Sequence, residues 1–122
     1  MAGNVQIYRE GVWIAGPVEI ARDFAARSRG LLGRDSIEGS AGMLIESCNS
    51  IHTFFMRFAI DAVFLSGEGR VLKVCGGVLP FRAAFSLFAS KVLEMAAGAA
   101  SAAGIVKGQV LEFREGRNGT GP

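Results

Sequence analysis

Three features of this chain predict a mainly β fold, a small antiparallel β-sandwich or barrel. Short apolar runs recur along it, among them "VQIY", "GMLIE", "IDAVFL" and "VLKVCGGV". Seventeen glycines fall between those runs as turn punctuation. Only one segment, near residues 19–29, shifts to helical period. Many short strands separated by turn signals are the pattern of sandwiches and small barrels.

The elements follow in order. Residues 5–8 (VQIY) and 11–15 (GVWIA) read as strands around a turn at Arg9–Gly11, with Pro17 ending the second. Ile20, Phe24 and Leu31 then take one side of the chain, and Arg22, Asp23, Arg27 and Arg29 the other. With Ala21, Ala25 and Ala26 between them, this spacing predicts a short amphipathic helix over 19–28, stopped by Gly30. Its late arginines suit the negative end of the helix dipole. From Gly39 onward the pattern is β, with strands at 42–46, 51–56, 60–65, 71–78, 91–98 and 109–113. "SGEGR" (66–70) is a hairpin turn, Gly76-Gly77 a bulge or bend, and 80–86 a loop. "AASAAG" reads as a turn or a single helical turn. At 122 residues the chain makes one domain, residues 1–113, with a frayed glycine-rich tail at 114–122.

Composition narrows the function classes. The net charge is +2 and the thirteen basic residues are scattered, where nucleic-acid binding needs a concentrated basic stripe. No apolar run reaches the ~20 residues that span a bilayer, and no secretory core is seen near the start, so no membrane partner and a cytoplasmic location are expected. Cys48 and Cys75 are then expected to be free thiols. No phosphate-binding glycine motif occurs, and no cofactor is expected. A zinc site needs about four ligands; Cys48, Cys75, His52 and carboxylates are all that is available, and no metal is expected.

The ordered set "RSRGLLGR" (27–34), "GML" (42–44), "IHTFFMRFAIDAVFL" (51–65), "GRVLKV" (69–74), "LP" (79–80), "VLEMAAG" (92–98) and "GIVKGQV" (104–110) resembles the domain of unknown function 192 family, over roughly residues 5–113. The aromatic-methionine pair followed by Ile60-Asp61 is the most specific element. The resemblance implies a compact, mainly β domain of bacteria and archaea and no established activity. The chain departs from the family pattern at Phe55 (often tryptophan), Ala59 (often proline) and Gln109 (usually aspartate), and many relatives are exported.

The run "CNSIHTFFMRFAIDAVFL" holds the single histidine and an aspartate among apolar residues. If 51–56 and 60–65 form a hairpin, alternation puts His52, Phe54, Met56 and Phe58 on one face of the first strand. On the second strand, Ile60, Ala62 and Phe64 oppose Asp61, Val63 and Leu65. Both strands are apolar on both faces, as in a doubly covered sheet, so the polar residues are the informative ones. A three-residue loop at 57–59 places Asp61 beside Arg57; a two-residue loop at 58–59 places it on the His52 face. Phe-Ala is poor two-residue hairpin chemistry, which favours the Arg57–Asp61 pair.

The candidate binding residues are therefore His52, Met56, Arg57, Asp61, Arg29 and Glu94. Arg29 and Arg34 flank "GLLG" and fit either an anion site or a helix-end charge with a salt bridge. Glu94, sharing a face with Val92 and Ala96, reads as a solvent-facing residue or an arginine partner. The expected role is a non-catalytic module binding an unknown small molecule or protein. A hydrolase-like enzyme using His52 with Asp61 or Cys48 is the alternative. A self-associating module using Phe81, Phe85 and Phe88 is the third. Monomer and homodimer stay open.

Overall fold

The computed structural model describes residues 4–23, 31 and 33–115. Nine strands and one short helix are found there: β1 (Asn4–Arg9), β2 (Val12–Ala21), β3 (Gly42–Glu46), β4 (Ser50–His52), β5 (Ile60–Leu65), β6 (Val71–Val78), β7 (Ala83–Phe85), β8 (Lys91–Ala96), α1 (Ala99–Ala102) and β9 (Glu112–Glu115). Seven strands form one sheet in the order β6-β5-β8-β3-β2-β1-β9, and β4 and β7 form a second. The fold is mainly β, as expected. The large sheet is mixed, because β2 and β3 run parallel. It does not close into a barrel. A single bridge from Arg70 to Val110 ties the start of β6 to the segment leading into β9.

Three sequence expectations are corrected. The second strand does not end at Pro17. The β1–β2 register passes from Val5↔Val18 to Ile7↔Ala15, so Gly16-Pro17 forms a bulge in a strand that continues to Ala21. A bulge is one of the few places a sheet tolerates proline. Residues 19–21 are therefore strand, not helix. Here β2 is paired on both sides, with β1 and with β3, and two ladders outweigh the helix preference of alanine. Arg22 and Asp23 are neither strand nor helix, and residues 24–28, the rest of the expected helix, lie outside the described residues. Second, 51–56 and 60–65 do not pair. β4 is only three residues long and joins β7, while β5 lies between β6 and β8. Third, the last strand is Glu112–Glu115, running past residue 113.

Two apolar clusters pack on opposite faces of the large sheet, and the alternation of β5 sorts its residues between them. Val63 and Leu65 join Leu44, Leu93, Met95, Ala100 and Ile105. Ile60, Ala62 and Phe64 join Met43, Ile45, Val92, Ile51 and Met56. All six residues of β5 are buried, as a strand covered on both faces requires. Among the described residues no helix is long and apolar enough to cross a membrane.

Candidate functional site

Two carboxylates lie inside this sheet on adjacent strands. Asp61 on β5 is directly opposite Met95, and Glu94 on β8 is directly opposite Ala62. Alternation sends them to opposite faces. Asp61 shares the face of Val63 and Leu65, Glu94 that of Val92. Both are almost fully buried, Asp61 at 2% exposure and Glu94 at 3%.

Asp61 accepts backbone hydrogen bonds at both carboxylate oxygens. Its Oδ1 accepts the Gly77 N–H at 2.8 Å. Its Oδ2 accepts the Gly98 N–H at 3.0 Å and the Ala100 N–H at 2.9 Å. The α1 helix has no capping side chain of its own: Gly98 at its N-cap sits at φ 91°. Asp61 thus caps α1 from a remote strand and pins the Gly76-Gly77 stretch of β6 to the same point. The expected Arg57–Asp61 pair is not formed. Arg57 is exposed and pairs with Asp35. The hairpin that would have brought Arg57 to Asp61 does not exist, because β5 takes its partners from residues 71–78 and 91–96.

Glu94 is buried rather than solvent-facing, contrary to expectation, and among the described residues no arginine pairs with it. Its Oε1 has no hydrogen-bond partner among the described residues. Burial raises its pKa from 4.5 to about 7, since desolvation penalises the charged form. Met43 and Ala62 flank it on the neighbouring strands.

The second, two-stranded sheet carries the aromatic residues of the central run. His52 is exposed at the end of β4 and stacks on Phe54, with ring centroids 5.2 Å apart. Phe81 meets Phe54 at 6.3 Å and Phe55 at 5.8 Å. Phe55 and Phe81 are both left-handed, at φ 65° and 62°, a conformation that costs a bulky side chain about 1 kcal/mol or more. Buried Thr53 holds them there. Its carbonyl accepts the N–H groups of Met56 and Phe81, and its N–H donates to the Arg82 carbonyl. Its hydroxyl donates to the Leu79 carbonyl at 2.6 Å and accepts the Arg82 N–H at 2.9 Å. Sequence reasoning missed Thr53, because a threonine in a β-rich run carries no signal of such a role.

The five described candidate residues, His52, Met56, Arg57, Asp61 and Glu94, are not brought together in one place. His52 belongs to the aromatic layer, and Met56 is buried beneath it in the core. Asp61 and Glu94 lie on opposite faces of the large sheet, Arg57 is on the surface, and Arg29 lies outside the described residues. Arg34, its companion in the anion reading, pairs with Glu19 at 2.8 Å. Among the described residues no hydrogen bond joins His52 to Asp61 or to Cys48, whose thiol donates to the Ser50 carbonyl. Cys48 and Cys75 are free, and no three His, Cys, Asp or Glu residues gather as a metal site among the described residues.

The DUF192 family model, described as an uncharacterized ACR, matches residues 5–113. No curated protein matches the chain. Among solved structures, the chain is similar to a protein of unknown function from Novosphingobium aromaticivorans DSM 12444. The TM-score is 0.78 at 20% identity, over 91% of this chain and 84% of that one. It is also similar to a protein of Sinorhizobium meliloti 1021 described as a "putative transcription regulator". There the TM-score is 0.79 at 21% identity, over 93% of this chain and 94% of that one. These likenesses show a shared fold.

Proposed function

The chain belongs to the DUF192 family of uncharacterised proteins, and from that premise we propose that it is a non-catalytic binding module whose contact surface is the aromatic layer around β4 and β7. The observation that carries this reading is exposure. Phe55, Phe81, Phe85, Leu87 and Phe88 are each more than half open to solvent. Scattered exposed apolar residues are ordinary, but clustered rings mark an interaction site. Two of these rings are held outward in costly backbone conformations by the buried Thr53. The partner that fits is an apolar segment of another protein. Among the described residues β4 and β7 pair only with each other, so the layer also offers strand edges to an extended chain.

Catalysis has less support. The Asp61 carboxylate accepts three backbone N–H groups, and among the described residues no base or nucleophile is hydrogen-bonded to His52, which sits in the other sheet. The description of the Sinorhizobium protein does not extend the reading to nucleic acid. Among the described residues, Arg22, Arg34, Arg57, Arg70 and Arg114 are each paired with a nearby carboxylate, which weakens the case for a concentrated basic stripe. The free thiols of Cys48 and Cys75 support a reducing compartment, and we place the module in the cytoplasm.

The test compares the full chain with a Phe55→Ser/Phe85→Ser variant in two measurements. In affinity capture, proteins retained by the parent are expected to be lost by the variant. Equal retention by both overturns the reading. In sedimentation velocity the parent is expected to stay monomeric; a dimer abolished by the variant would replace the proposed partner with a second copy of the chain.

A further inference from the structure

The Asp61 face carries a feature that the aromatic surface does not use. A cavity of about 340 Å³ opens beside the carboxylate, lined by Asp61, Gly76, Gly98, Ser101, Ile105 and Val106 among others. That volume is at the small end of the range for ligand pockets, roughly 300–1,000 Å³. The wall is largely apolar, and the carboxylate is its buried charge. Among the described residues no lysine or arginine pairs with Asp61; its three bonds there all come from backbone N–H groups. Oδ1 takes one of those bonds and Oδ2 two, so Oδ1 retains acceptor capacity.

Gly76 is the informative residue of the rim. Gly77, Gly98 and Gly104 have left-handed φ values that favour glycine on backbone grounds alone. Gly76 does not. It lies within β6, and an added Cβ would sit in ordinary contact with Asp61 Oδ1, at 3.7 Å. Neither backbone conformation nor crowding demands glycine there. A glycine inside a strand weakens it and often marks a place where a ligand or another backbone approaches. A side chain at Gly76 would stand over the carboxylate and fill the cavity.

We infer that this cavity is a binding site for a small aliphatic ammonium compound, its cation on Asp61 Oδ1 and its chain against Val74, Ile105 and Val106. The carboxylate has no cationic partner among the described residues, so a charged donor gains more there than a hydroxyl. The short apolar wall limits the chain to a few carbons.

The probe is n-butylammonium chloride, added to the full ¹⁵N-labelled chain and followed by amide NMR. Saturable shifts are expected at Gly76, Gly77, Gly98 and Ala100. Sodium butyrate at equal ionic strength is expected to produce none of them. Gly76→Val is expected to weaken butylammonium binding at least tenfold while leaving the spectrum elsewhere unchanged. If Gly76→Val disturbs the fold, Ser101→Trp on the exposed face of α1 closes the mouth from the other side and gives the same expected loss. Absence of saturable shifts with butylammonium overturns the inference. So do equal shifts with butyrate, or parental affinity in a folded blocked variant.

Discussion

Asp61 and Glu94 are carboxylates buried to nearly the same degree on neighbouring strands of one sheet, yet their surroundings treat them in opposite ways. Asp61 meets three backbone N–H groups, one from the irregular Gly76-Gly77 stretch of β6 and two from the start of α1. Glu94 meets side chains of the apolar core, and one of its oxygens has no partner among the described residues. Its pKa rises to about 7. The difference teaches that depth does not decide the fate of a buried charge. What decides it is whether the backbone nearby has donors to spare. Loop ends and helix starts have them, and the interior of a fully paired sheet does not.

The largest effect expected from this contrast is at Asp61. Asp61→Ala would strip three N–H groups of their acceptor and release α1 and β6 from one another. A loss of about 3–5 kcal/mol is expected in urea unfolding, by the cost of unsatisfied groups and lost charged hydrogen bonds. A loss below about 1 kcal/mol would show that water replaces the carboxylate, and would break the comparison.

Glu94 comes next, and here the sign is set by the raised pKa. The folded state binds the proton more tightly than the unfolded chain, whose glutamate titrates near 4.5. The stabilisation from the protonated form is therefore complete below about pH 4.5 and is lost as pH rises through about 7. The total is about 3 kcal/mol, at 1.36 kcal/mol per pH unit. Glu94→Gln is expected to flatten that slope and to be more stable than the parent at pH 8. Thermal unfolding of both proteins across this range checks it. Equal slopes in the two proteins would mean that Glu94 ionises freely where it lies.

The smallest effect is at Thr53, an uncharged buried group that is satisfied as Asp61 is. Thr53→Val keeps the shape, removes the hydroxyl bonds to Leu79 and Arg82, and leaves the backbone bonds of residue 53 in place. A loss of about 1–2 kcal/mol is expected, with broadened ring signals from Phe54, Phe55 and Phe81 in NMR. Unchanged ring signals would mean that the backbone bonds alone position the aromatic layer.

Much of the fold was legible in the chain itself. "GMLIE" and "IDAVFL" are β3 and β5 at the expected boundaries, because short β-rich runs bounded by glycine and polar residues leave little choice. The faces of β5 were legible too, since alternation is a property of the strand alone. Partners were not. The run 51–65 is apolar on both faces, so alternation gives no register, and a hairpin between neighbours looked as good as the true pairing with residues 83–85 and 91–96. Glu94 shows the same limit. Its pattern with Val92 and Ala96 fixed which face it takes, but not that Ile51 and Met56, brought from a distant segment, help cover that face.

Composition, period and turn residues thus determined a mainly β domain, several of its strands such as β3, β5 and β6, and the residues that stand out within it. Tertiary structure decided what those residues do. It joined Asp61 to the amides of Gly77, Gly98 and Ala100, left Glu94 without a partner for its Oε1 among the described residues, and brought Phe81 against Phe54 and Phe55. The physical reason is that strand formation follows from local preferences. Hydrogen-bond partners and solvent exposure depend instead on which segments, far apart in the chain, come to lie side by side.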